Sequence, residues 1–342
     1  MIATVVSQSR LQPGILDLRV SVADSIEILP GQFMLLYPED GARLLPRPIS
    51  VCEVIRMEHS GAADISGEAP GSGSVAEGSY GETPGSGSGA EGSNGEDLGS
   101  RSAATRDPGS AKGRQIIRMV YRIAGEGTKE FSNLKPGDVL RMEGPRGNGF
   151  PLNPKELNGE TPKKPLLIGG GIGLPPLAEL SKQLAVRGAK PVAAAGYRDG
   201  DLFLAADLAR YAEVFPACEE LTEQTTEKHR EDDGAEAEEA ASVNERIRKP
   251  RKGNVLEVIR GENLKADVIY ACGPMPMLKA VKEFAEERKV PAYVSLEERM
   301  ACGMGVCLGC VAKTKSINPH SGVRNARVCV EGPVFLSDEV DL

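Results

Sequence analysis

Four of the seven cysteines in this 342-residue chain fall within its last 41 residues, and nothing else in the sequence restricts folding so tightly. They read Cys302-Gly-Met-Gly-Val-Cys307-Leu-Gly-Cys310, followed by Cys329 after eighteen intervening residues. From Pro291 onward the tail is rich in glycine and lacks apolar periodicity, so a hydrophobic core alone cannot order it. A metal centre can, because thiolate ligation is itself folding free energy. The C-x4-C-x2-C…C spacing is that of a plant-type [2Fe-2S] cluster held by four thiolates. Gly303, Gly305 and Gly309 allow the backbone to wrap closely and turn its N–H groups toward sulfur. A four-cysteine zinc site is the competing reading. Zinc ligands usually come as C-x2–4-C pairs on separate turns, whereas three cysteines here share one loop. Cys302, Cys307, Cys310 and Cys329 are therefore the expected metal ligands, and an odd cysteine count is poor material for a disulfide framework.

Composition removes other classes. A net charge of −8 argues against a polyanion such as nucleic acid as the main partner. No apolar run approaches the ~20 residues of a membrane-spanning helix. The opening Met1-Ile-Ala-Thr-Val-Val-Ser-Gln8 alternates like a strand and has neither the basic stretch nor the apolar core of a signal peptide, so a cytoplasmic protein is expected.

Two segments look foreign to a folded core. From about residue 58 to 113 the chain is dominated by Gly, Ser and Glu, with 13 glycines between Gly61 and Gly109, and is expected to be disordered. Within it, the unit 71–82 recurs as 85–96, with no hydrophobic face that could stack. The second, about 223–252, is acidic (231–239) and then basic (Arg246, Arg248, Lys249, Arg251, Lys252), which reads as a solvated or flexible excursion. Such insertions are tolerable because loop-closure entropy grows only logarithmically with length.

The rest divides into three blocks. Residues 1–150 carry short alternating runs (1–6, 15–22, 32–36, 49–54, 116–121, 139–143) separated by Pro and Gly turns, the pattern of a small antiparallel barrel. Residues 163–291 alternate apolar strands with longer helical patterns (165–168, 174–187, 191–196, 205–211, 268–271, 275–288), a βαβ rhythm that implies a parallel sheet. Residues 292–342 form the cysteine domain. The expected fold is thus multidomain β and α/β: an N-terminal antiparallel β-barrel, a Rossmann-like parallel α/β domain and a small C-terminal [2Fe-2S] domain.

The parallel block contains Ile168-Gly169-Gly170-Gly171-Ile-Gly173-Leu-Pro175-Pro176, a strand running into a glycine turn and a helix opening with proline. Backbone amides and a helix N-terminus there could face a pyrophosphate. Pro176 stands where a Rossmann fingerprint has its last glycine. A companion turn, Cys272-Gly273-Pro274, also follows a strand, and ligands of open α/β sheets gather at strand carboxyl ends. Cys272 is either a neighbour of a nicotinamide or a small buried residue. In the barrel block, Arg47-Pro48-Ile49-Ser50 offers an arginine held extended by the following proline and able to grip phosphate, and Val120-Tyr121-Arg122 and Gly127-Thr128 come later. His59, His229 and His320 lie in or near expected loops, which gives them no part in catalysis.

In this order the three sets resemble the ferredoxin-reductase-like flavoproteins, and the tail Val294-Ser-Leu-Glu297…Met300-Ala-Cys302-Gly-Met-Gly-Val-Cys307-Leu-Gly-Cys310 resembles the electron-transfer subunits of type B dihydroorotate dehydrogenase. The resemblance implies FAD contacts from Arg47, Pro48, Ile49, Ser50, Val120, Tyr121, Arg122, Gly127 and Thr128. It implies nicotinamide-nucleotide contacts from Gly169, Gly170, Gly171, Gly173, Cys272, Gly273 and Pro274, and cluster ligation by the four C-terminal cysteines. The implied partner is an FMN-containing dihydroorotate dehydrogenase catalytic subunit, two copies of each chain forming a heterotetramer. Electrons would enter from that FMN, cross the cluster singly, collect on FAD and leave as hydride to NAD+, in pyrimidine (UMP) biosynthesis. No general acid or nucleophile is needed in this chain. The family's acidic D-D-G-S-x-G stretch is only partly matched around Glu231-Asp-Asp-Gly234. The same motifs would also suit another NAD(P)H:ferredoxin-type or sulfide-oxidising complex, and a zinc-bound scaffold without activity is the alternative from a different class.

Overall fold

The computed structural model describes residues 1–56, 114–221, 237–319 and 321–342. The insertion expected to be disordered, with its repeated unit, most of the acidic run and all three histidines lie outside the described residues.

Six strands, β1 (Ile2–Gln12), β2 (Ile15–Val22), β3 (Phe33–Tyr37), β4 (Arg47–Arg56), β5 (Gln115–Arg122) and β6 (Val139–Arg146), close an antiparallel barrel in the order β1-β2-β5-β4-β3-β6. Alternate residues of each strand point to opposite faces, and β5 uses both. Ile117, Met119 and Tyr121 fill the barrel, while Val120 joins the core shared with the nucleotide sheet, where Leu167, Leu174 and Leu177 pack. Arg118 and Arg122 have the parity of Val120. The short helix α1 (Glu126–Phe131) closes the barrel with buried Phe131, whose carbonyl accepts from Gln8 Nε2 at 3.1 Å.

The second layer is a seven-stranded sheet of β7 (Pro165–Gly170), β8 (Val192–Tyr197), β9 (Glu213–Cys218), β10 (Arg251–Lys252), β11 (Val268–Cys272), β12 (Ala292–Ser295) and, after the two-stranded β13 (Val311–Lys313) and β14 (Asn325–Arg327), β15 (Val334–Leu336). Its order is β10-β9-β8-β7-β11-β12-β15. All neighbours are parallel except β12 and β15. Helices α2 (Pro175–Val186), α3 (Ala205–Ala209), α4 (Ala237–Glu245), α5 (Val255–Gly261) and α6 (Met275–Arg288) connect the strands. Barrel, sheet and tail form one compact unit. No helix of the described residues is long and apolar enough to cross a membrane.

Three elements go beyond the sequence reading. Pro216 interrupts β9 and reads against a strand, yet β10 pairs only with Ala217 and Cys218, so the missing donor lies just outside that ladder. The basic half of the charged segment is drawn into the sheet as β10, and its cations pair outside the segment, Arg248 with Glu213 and Arg251 with Glu262. Finally, α5 starts on a capping box: Asn254 Oδ1 accepts from the Leu256 and Glu257 amides at 3.0 Å, and Glu257 Oε2 accepts from Asn254 N at 3.0 Å.

Candidate functional site

The sheet builds outward from β7 through β8 and β9, then crosses to β11 on the other side. Ligands of open α/β sheets collect at the carboxyl ends of strands where the order reverses, here between β7 and β11. Both glycine-rich turns end there, and the four glycines after β7 divide two tasks. A Cβ on Gly169 would meet Leu174 Cδ2 at 2.4 Å and one on Gly173 would meet the Cys272 carbonyl oxygen at 2.2 Å, so these two permit packing. Gly170 and Gly171 instead line a cleft of about 890 Å³ together with Pro274 and Met277. Gly171 has φ +52 and Gly273 φ +156, both in the region that favours glycine. The N-terminus of α2 offers less than expected, since Pro175 and Pro176 open the helix without N–H groups and are buried. Cys272 is 3% exposed, and burial pushes its thiol up to about 12.

At the barrel mouth the Arg47 guanidinium lies against Gly127, where a Cβ would sit 2.5–2.9 Å from its nitrogens and carbon. Arg47 Nη1 donates to the Leu45 carbonyl at 2.7 Å. Arg47, Gly127 and Thr128 are thus brought together across eighty residues of sequence. The Thr128 hydroxyl is occupied by its own helix start: it accepts from Ala124 N and Gly125 N and donates to Gly125 O, all within 3.1 Å. Pro48 and Ser50 are half-buried on β4, whereas Ile49 points into the barrel core. Val120 and Tyr121 are buried, and the Tyr121 hydroxyl donates to Gln8 Oε1 at 2.9 Å, so neither side chain faces the cleft. Arg122 does: it is exposed, and its Nη2 lies 3.6 Å from where a Cβ on Gly171 would be. A second cavity of about 450 Å³ shares Arg122, Gly171, Tyr197 and Arg198 with the first and reaches the β1–β2 turn at Gly14.

In the cysteine loop Cys310 and Cys329 are buried, Cys302 is half-buried and Cys307 exposed. Cys302 interacts with Cys307, and Cys329 with Cys310 and also with Cys302, so the four thiols form one connected set. Among the described residues no three His, Cys, Asp or Glu converge on a single ion. Four thiols brought together by the 302–310 loop and Cys329 are the donor set that a [2Fe-2S] cluster takes. Met304 N donates to Cys302 Sγ and Gly309 N to Cys307 Sγ, each at 3.4 Å. Burial pushes the Cys302 thiol up, but the amides of Cys307, Met304 and Val306 outweigh it and bring the thiol down to about 6. Burial, with Cys310 adjacent, pushes Cys329 up to about 12.

Gly303 (φ +66) presses on Leu35 of β3, with 2.6 Å between its would-be Cβ and Leu35 Cδ2, and Leu35 pairs with Pro48 of β4. The cysteine loop therefore leans on the strand beside Arg47-Pro48. Behind it, Arg327 Nη1 donates to the Gly305 carbonyl at 3.1 Å while Glu331 grips the same guanidinium.

A closed barrel with Arg47 at its mouth, a parallel sheet with glycine turns at its switch point and a four-thiol loop between them define a ferredoxin-reductase-like scaffold that carries a thiolate metal loop. Solved structures of this fold include an NADH-dependent reduced ferredoxin-NADP oxidoreductase from flavin-based electron bifurcation, with TM-score 0.63 and 21% identity over all of this chain and 90% of that one. The ferredoxin reductase of carbazole 1,9a-dioxygenase shares it at TM-score 0.52 and 19% identity, over 85% of this chain and 66% of its own.

A family model described as the iron-sulfur cluster binding domain of dihydroorotate dehydrogenase B matches residues 297–341. A Streptococcus mutans protein is 33% identical over 99% of this chain and 97% of its own length, and one from Geobacillus thermodenitrificans is 39% identical over 68% and 76%. Both are named dihydroorotate dehydrogenase B (NAD(+)), electron transfer subunit. The chain belongs to this family.

Proposed function

We propose that this chain takes electrons from the FMN of a separate catalytic subunit that oxidises dihydroorotate and passes them through a [2Fe-2S] cluster and FAD to NAD+, in the biosynthesis of UMP. The observation that carries this reading is the gathering of Cys329 with the thiols of a loop that rests, through Gly303 and Leu35, on the strand beginning Arg47-Pro48-Ile49-Ser50. When bound, a flavin exchanges electrons singly with a cluster and in pairs with a nicotinamide, which is why the three groups belong together.

The chain's own residues supply binding and orientation. Cys302, Cys307, Cys310 and Cys329 would hold the cluster, which would supply one-electron transfer. Arg47 and Arg122 are the cations suited to a flavin's pyrophosphate or ring oxygens. Pro48 and Ser50 present the strand edge, Gly127 admits the Arg47 guanidinium, and Thr128 fixes the turn. Ile49, Val120 and Tyr121 contribute backbone, with their side chains anchoring the barrel. For the nicotinamide nucleotide, Gly170, Gly171 and Pro274 line the cleft, Gly273 makes the turn beside them, Gly169 and Gly173 allow the turns to approach, and Cys272 lies buried behind. We divide the chain into a flavin barrel (1–150), a nucleotide domain (163–291) and a cluster domain (292–342) that is stitched to the sheet edge by β12 and β15. The cluster domain presents Met304, Val306 and Leu308 to solvent, an apolar rim around exposed Cys307 that suits a protein partner, in a complex of two copies of each chain. All seven cysteines are free, which suits the reducing cytoplasm.

Anaerobic addition of NADH to the isolated holoprotein should bleach both flavin and cluster absorbance, and the catalytic subunit should copurify. Purified protein with tightly held zinc, no iron and no acid-labile sulfide would refute the proposal.

A further inference from the structure

We propose that Arg327 and Glu331 are a positioning pair: together they clamp Gly305 so that its amide is aimed at Cys329, and this clamp holds up the reduction potential of the cluster. The inference rests on the reading that the four C-terminal cysteines hold a [2Fe-2S] cluster.

The two residues stand two positions either side of Cys329, and the turn between them is tight. The Arg327 carbonyl accepts from Val330 N at 2.9 Å and from Glu331 N at 2.8 Å. The Glu331 carboxylate folds back over that turn, where it accepts from Arg327 N at 2.6 Å and from Arg327 Nε at 3.0 Å and also holds Nη2. A guanidinium gripped in this way has a fixed orientation. Its Nη1 end reaches out of the tail to the Gly305 carbonyl at 3.1 Å.

Gly305 returns the contact. Its amide donates to Sγ of Cys329, the cysteine that the turn carries. At φ +81, with a would-be Cβ 2.6 Å from Val330 Cγ2 and 3.1 Å from Arg327 Nη1, the position suits only glycine. Residue 305 is therefore held at its carbonyl by Arg327 and at its amide by Cys329. The bonds from Met304 N to Cys302 and from Gly309 N to Cys307 are made within the loop itself, whereas the bond from Gly305 to Cys329 depends on the tail being held against it. An amide hydrogen bond to a ligating sulfur favours the more negative, reduced cluster and so raises its potential. Arg327 and Glu331 carry opposite charges in contact, so their own fields largely cancel at the cluster, and what they contribute is geometry.

The test is a mediated redox titration of the flavin- and cluster-loaded protein, followed by the electron-paramagnetic-resonance signal of the reduced cluster, with iron release to a chelator as a second readout. Arg327→Met removes a positive charge and Glu331→Ala a negative one, yet both free Gly305. Both should lower the potential, so that at the wild-type midpoint the reduced-to-oxidised ratio falls about threefold or more, and both should lose iron about tenfold faster. A charge effect alone would move the two in opposite directions, down in Arg327→Met and up in Glu331→Ala; that result, or unchanged potentials in both, would overturn the inference. Where either variant fails to assemble a cluster, Glu331→Gln decides, because it keeps an acceptor for Arg327 and loses the charge. A potential at or below that of wild type then supports the clamp, and a rise overturns it. If wild type itself carries no iron-sulfur cluster, the reading of the cysteines fails; a wild-type cluster whose variants titrate like it ends the clamp alone.

Discussion

The seam between barrel and nucleotide sheet and the cysteine loop are both crowded with polar or reactive groups, but they are completed in opposite ways. At the seam Arg118, only 5% exposed, is gripped by Asp17 at 2.9 Å, reaches Asp207 of α3 and stands 3.6 Å from Glu53. Helix α2 is pinned to β4 by main-chain bonds: Val54 N donates to Glu179 at 3.0 Å and Lys182 donates to the Val54 carbonyl at 3.0 Å. Each buried charge there has a partner from this chain. In the cysteine loop the buried thiols have chiefly one another, the backbone turns through positive φ at Gly303, Gly305 and Leu308, and Val306 is 80% exposed. The seam is self-sufficient, whereas the loop is arranged around groups that another component must supply.

The strongest way to break this contrast is at the seam. Arg118→Met would leave Asp207 without its cation and Asp17 with only Arg19 at 3.9 Å, and should cost about 3–5 kcal/mol, measurable by denaturant unfolding. A loss below about 1 kcal/mol would mean the network is not what joins the two layers. In the loop, Cys310→Ser should abolish iron and acid-labile sulfide binding while flavin and seam survive. Unfolding of the whole chain by that variant would erase the distinction between the two regions. Val306→Asp should leave stability within about 0.5 kcal/mol, since the side chain is exposed, yet weaken association with the catalytic subunit by about tenfold or more in a titration.

The smallest effect concerns pH. Burial raises the Glu179 carboxyl above its ordinary value of 4.5. Its protonated form is therefore favoured by folding, and that contribution is full below 4.5 and fades as pH rises through the folded-state value. Glu179→Gln should match wild type in thermal midpoint near pH 4 and equal or exceed it by a few degrees near pH 8. The reverse order would show that the Lys182 pairing outweighs burial.

Much of this was legible before folding. The barrel strands and β7, β8 and β11 announce themselves by alternation and turn residues, and Cys302, Cys307 and Cys310 declare their chemistry by spacing inside nine residues. The start of α5 could have been found from Asn254-x-x-Glu257. By contrast, β9 is masked by Pro216, and a two-residue strand such as β10 carries no periodic signal. Tyr121 and Arg122 are adjacent in sequence, but only the register of β5 sends one into the barrel and the other to the cleft.

The division comes from the range of the interactions. Ligand spacing, strand periodicity and glycine turns are set by covalent neighbours and so belong to the amino-acid order. The joining of Asp17, Glu53, Arg118 and Asp207, the split of four glycines between packing and cleft, and the contact of Gly303 with Leu35 bring together residues far apart in the chain. Those were decided by barrel closure and layer packing, because burial and the pairing of buried charge exist only once distant segments meet.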